Sequence, residues 1–71
     1  MMAGMDHQQQ HLVKMVNQIA SNVPRREAVA EQVGQHLKQF WTPEMRQQLR
    51  DIAASEPESL VPDVHAALQS L

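Results

Sequence analysis

The side chains best equipped for chemistry in this sequence are its four histidines. His7 and His11 stand four apart, a spacing that puts two imidazoles on one helix face, as a metal ion requires of two of its ligands. The sequence places no carboxylate or third histidine beside them, so no metal site is expected. His36 and His65 each flank an apolar stripe, where packing is the expected role. Asp63 and His65 lie too close together on one short helix to build an acid–base relay with a serine nucleophile. The glycine loops that cradle phosphates, the zinc-protease helix motif and the Gly-x-Ser-x-Gly turn are all absent. Cysteine is absent as well, which removes thiolate nucleophiles, Cys-based zinc sites and disulfides. No catalytic, cofactor-binding or metal-binding residue is assigned.

What remains is the chemistry of recognition. The stretch "HLKQFWTPEMR", His36 to Arg46, holds both aromatic side chains of the chain, Phe40 and Trp41. One reading has both rings filling the wedge of a helix corner, since each brings about 150–250 Å² of buriable surface. The other has one ring in the core and the other anchoring a partner, a role in which Trp is enriched. Helical phase puts Phe40 near the centre of the apolar stripe and Trp41 at its far edge, so Trp41 is the ring expected outside. Met45 and Arg46 follow at once, and an Arg beside an aromatic anchor is typical hot-spot composition. Asn17 borders the stripe of the preceding helix; it either hydrogen-bonds across an interface or serves as a solvated or cap-linking amide. The candidate partner-binding set is Asn17, Phe40, Trp41, Met45 and Arg46.

The elements that position these residues follow from composition and period. A chain of 71 residues with two glycines, rich in Ala, Gln, Glu, Leu and Met and without strand-like alternation, is all-α. Residues 1–10 read as a flexible polar tail, with room for a first helical turn capped by Asp6. Residues 11–71 read as a single domain, a small bundle of three to four short helices. The first carries Leu12, Met15, Val16, Ile19 and Val23 on one face and ends before Pro24. The second, roughly Arg25 to Phe40, aligns Val29, Val33 and Leu37. Thr42-Pro43-Glu44 marks a sharp helix-Thr-Pro-helix corner, with Thr42 as N-cap and Pro43 in the first helical position. A third helix runs from about Pro43 to Ala54, "SEPES" breaks it, and a fourth starts near Pro62.

Six basic and eight acidic residues give a net charge of −2, and they are scattered, which argues against a phosphate-tracking surface and a nucleic-acid partner. No apolar run approaches the roughly 20 residues of a membrane span, and the amino end lacks the cationic start and apolar centre of a signal peptide. The expectation is a soluble, cytoplasmic protein. So small a chain has little interior for its many apolar side chains, which points to an exposed interaction patch. A homodimer made by pairing such patches is the alternative to a foreign partner.

Three segments in series, "LVKMVNQIA" (Leu12 to Ala20), "HLKQFWTPEMR" (His36 to Arg46) and "LVPDVHAAL" (Leu60 to Leu68), resemble the delta subunit family of NAD-dependent formate dehydrogenase. The most specific element is Phe40, Trp41, Pro43, Met45 and Arg46. Thr42 stands where that family usually has Asp, Glu44 where it has a basic residue, and "SEPES" where it has a glycine-containing loop. The resemblance implies an accessory subunit of a cytoplasmic complex that binds the large catalytic subunit and supports assembly or stability. It also implies that other chains carry the cofactors, namely a molybdenum or tungsten bis-molybdopterin guanine dinucleotide, iron–sulfur clusters and FMN.

Overall fold

The first helix starts one residue after an aspartate that satisfies the orphan amides of its opening turn. In the computed structural model, which describes residues 6–71, Asp6 Oδ1 accepts from the Gln9 amide at 2.8 Å while Gln9 Oε1 accepts from the Asp6 amide at 3.2 Å. This reciprocal capping box opens α1 (His7–Asn22). Of the tail expected over residues 1–10, residues 7–10 are thus helical, and residues 1–5 lie outside the described residues. Pro24 holds Val23 in extended geometry and ends the helix there.

A single 3-10 turn, Arg26–Ala28, leads into α2 (Val29–Phe40), so the α-helix begins four residues later than Arg25, where the sequence placed it. Trp41 is extended, with φ −95° and ψ 143°, and breaks the helix. The Thr42 hydroxyl then accepts from the Met45 amide at 3.1 Å, and Pro43 occupies the first turn of α3 (Pro43–Ser55). A second 3-10 turn, Pro57–Ser59, precedes α4 (Pro62–Gln69), again opened by a proline. The described residues therefore form an all-α bundle of four helices with the sharp Thr-Pro corner between the second and third.

The core is apolar throughout. Leu12, Val16 and Ala20 from α1 meet Val29, Val33 and Leu37 from α2, Leu49 and Ile52 from α3, and Val64 and Ala67 from α4, with Trp41 and Leu60 closing the corners. Within α1, α2 and α3 most of these residues recur at i+3 or i+4, which puts one face of each helix inward. α1 touches the other three helices, and α4 lies chiefly along α2. Gly34 makes that last approach close: a Cβ there would stand 3.5 Å from Ser70 Oγ and 4.0 Å from the Ala67 Cβ.

The ends of α1 and α2 are closed in an unusual way. No described residue has positive φ, so neither helix ends in the left-handed glycine cap common elsewhere. An arginine from the following segment contributes at each end, joined at α2 by the Trp41 amide, which donates to Leu37 O at 3.1 Å. Arg26 Nη1 donates to Ala20 O at 3.2 Å and Val23 O at 3.1 Å, and Arg46 Nη1 donates to Trp41 O at 2.6 Å and Leu37 O at 3.1 Å. A guanidinium suits the site, because cationic donors are favoured at the negative end of a helix and bond its free carbonyls strongly.

Candidate interaction surface

The five residues singled out from the sequence divide sharply. Trp41 is buried at 4% exposure, whereas Phe40 is 68% exposed. This reverses the expectation that Trp41 would be the outward anchor. Helical phase was extended one residue too far: α2 ends at Phe40, and the extended backbone of Trp41 turns its ring into the core. Phe40 does have the azimuth of the core stripe, but at the last residue of α2 no neighbouring element covers that azimuth. A signal for Trp41 was present in the residue after it, since an apolar residue just before an N-cap such as Thr42 commonly packs inward.

Asn17 is half-buried and bonded within the chain through both ends of its amide. Its Nδ2 donates to Ser59 O at 2.9 Å, and its Oδ1 accepts from the Val61 amide at 3.1 Å. It is the cap-linking amide of the two sequence readings, holding the entry to α4, where Val61 supplies no side-chain cap. Arg46 is committed to the end of α2, and Met45 packs half-buried against the core. Among the five, Phe40 alone projects into solvent.

Around Phe40 the surface has a distinct composition. His36, one turn earlier, stacks on it with ring centroids 4.9 Å apart and planes inclined by 43°. A groove of about 490 Å³ runs beside them, floored by Ile19, Val23 and Pro24 and flanked by Asn22, Arg25, Gln32 and His36. Gln35 and Gln39 extend it to Phe40. No carboxylate lines it, and its one cation, Arg25, is paired with Glu27 at 3.1 Å. The charged residues of α2, Glu31 and Lys38, line the opposite flank, in the furrow shared with α4. Sequence reasoning missed this division, although Gln32, His36, Gln39 and Phe40 at spacings of three and four already trace an uncharged strip.

The other histidines do not gather into a site. His7 and His11 are exposed and line a shallow hollow with Gln8, Gln10 and Lys14. Among the described residues no three His, Asp or Glu come together to hold a metal ion. His65 Nε2 lies 2.8 Å from Pro57 O, tying α4 to the turn before it. Among the described residues no polar or charged residue is buried, and no helix is long and apolar enough to cross a membrane.

These features define a small helical bundle with an apolar core and, on one flank, an outer face poor in charge and tipped by Phe40. The chain belongs to the NADH-dependent formate dehydrogenase delta subunit family, FdsD, whose model matches residues 11–68. No curated protein and no solved structure gave a significant match.

Proposed function

We propose that the chain is a non-catalytic accessory subunit of a cytoplasmic NAD-dependent formate dehydrogenase, binding the large catalytic subunit and supporting assembly or stability of the complex. The observation that carries this reading is the family match, which spans nearly all of the helical bundle. The uncharged face around Phe40 supports it, because interface centres are depleted in charge and enriched in aromatic residues. On this reading formate oxidation and NAD reduction occur on other chains, which hold the molybdenum or tungsten bis-molybdopterin guanine dinucleotide, the iron–sulfur clusters and FMN. Iron–sulfur clusters are held by cysteine thiolates, and a chain without cysteine does not fit such a group.

The test is affinity capture of the tagged chain from its own cell extract, with co-purifying proteins identified by mass spectrometry. Stoichiometric recovery of a formate dehydrogenase large subunit is the expected result. Recovery of the chain alone, at dimeric mass, would replace this reading with self-association.

A further inference from the structure

The exposed surface of α2 is partitioned. Its two charged residues, Glu31 and Lys38, face the furrow shared with α4, while the flank toward the end of α1 carries Gln32, His36, Gln39 and Phe40 beside Ile19 and Val23. On a chain in which one residue in five is charged, this flank holds one ionic group, Arg25, which is paired with Glu27 at 3.1 Å. Gln32 and Gln39 are exposed, and among the described residues no hydrogen bond engages their side-chain amides, so donors and acceptors there face outward to another chain. Phe40 supplies the one large ring outside the core.

Resting on the accessory-subunit reading above, we infer that this flank seats an uncharged, apolar-centred patch of another formate dehydrogenase subunit. The occupant presents an apolar side chain to the Ile19–Val23 floor and Phe40, with backbone or amide groups bonding the glutamine rim. Charge matching selects this occupant over a charged one: a partner bringing Lys, Arg, Asp or Glu to Phe40 and the Ile19–Val23 floor would bury that charge among uncharged side chains, the groove's single cation, Arg25, being already paired with Glu27, which is costly. The family assignment to one subunit of a larger enzyme selects a foreign chain over a second copy. Such an interface depends little on electrostatic steering, so its affinity is nearly independent of salt.

The experiment uses dehydrogenase complex prepared without this chain and measures rebinding of the purified chain by surface plasmon resonance. Phe40→Ala is expected to weaken binding by about 30-fold or more, the hot-spot threshold, and Gln39→Glu by about tenfold or more through burial of a bare carboxylate. Glu31→Ala and Lys38→Ala should bind like the wild type. Raising salt from 50 to 500 mM should change the affinity by less than about threefold. Circular dichroism of each variant establishes that it is folded. Loss of binding in the Glu31 or Lys38 variants with Phe40→Ala unaffected would overturn the face, and strong salt dependence would overturn its neutral occupant. A Phe40-dependent homodimer in sedimentation, with no binding to the complex, would show a second copy to be the occupant. Wild-type chain that binds neither would defeat the accessory-subunit reading itself, whereas wild-type binding untouched by Phe40→Ala and Gln39→Glu would defeat only this assignment.

Discussion

Replacing each of the two adjacent aromatic residues by alanine separates core from surface within a single dipeptide. Trp41 is 4% exposed and lies among the core residues, so Trp41→Ala removes one of the largest buried side chains and leaves a cavity. Substitutions of that kind cost about 3–5 kcal/mol. A chain of 71 residues has a total stability of about 4–11 kcal/mol at the usual 0.05–0.15 kcal/mol per residue, so the variant loses a large share of it. With a urea slope near 1 kcal/mol per molar for a domain this small, the midpoint falls by about 3–5 M. Phe40 is 68% exposed at the last residue of α2, so Phe40→Ala gives up less than about 1 kcal/mol of burial and recovers part of that through the higher helix propensity of alanine. The assay is urea unfolding followed by circular dichroism at 222 nm, which does not depend on the lost indole. A Trp41→Ala midpoint within about 0.5 M of the wild type, or equal losses in the two variants, would refute the burial argument.

Three further substitutions probe the connections. Arg46→Ala removes the cationic donor from Trp41 O and Leu37 O and should cost about 1–2 kcal/mol; Arg50→Ala, exposed one turn later, should stay within about 0.5 kcal/mol, both read by thermal unfolding. Asn17→Ala strands Ser59 O and the Val61 amide; a loss of about 1–2 kcal/mol is expected, with faster hydrogen exchange at the Val61 amide as its local signature. Gly34→Ala should stabilise by up to about 1 kcal/mol, because the added Cβ meets only ordinary contacts at 3.5 Å and beyond while alanine is the better helix former. Gly34→Leu, which must displace Ser70 and Ala67, should lower the melting temperature.

The helices and their apolar faces could be read from the sequence because period and punctuation are local properties. Thr42-Pro43, Pro24 and Pro62 each mark a boundary that the structure keeps. The 3-10 turn before α2 was not legible, since nothing in Arg26-Glu27-Ala28 separates it from the first turn of an α-helix. Phase gives the direction in which a helical residue points and says nothing about whether a neighbour stands at that height, which is why Phe40 could not be placed. Trp41 failed for a different reason, having left the helix whose phase was applied to it. The arginine caps join residues only three to nine positions apart but turn on the geometry of a corner, which helical period does not give, and the Asn17 bracket joins residues more than forty positions apart, beyond the reach of any local pattern.

The two arginine caps also bear on how the bundle can come apart. A glycine cap closes a helix with its own backbone, whereas here Ala20 O and Leu37 O, with the cap carbonyls of Val23 and Trp41, also take an arginine donor from the segment that follows each helix. Opening the first turn of α3 therefore takes the Arg46 donor from Trp41 O and Leu37 O, leaving Leu37 O only its bond from the Trp41 amide, and releasing Arg26 frees Ala20 O and Val23 O from their arginine. Local fraying is transmitted toward the amino end instead of staying within one helix, and Arg26 is in turn held at 3.7 Å by Asp63 on α4. The expected outcome is that the bundle unfolds as one cooperative unit, with coincident transitions by different probes. A fragment cut before Arg46 would lack both the cap of its last helix and the Leu49 and Ile52 side chains that cover its core, and it should not hold its structure alone.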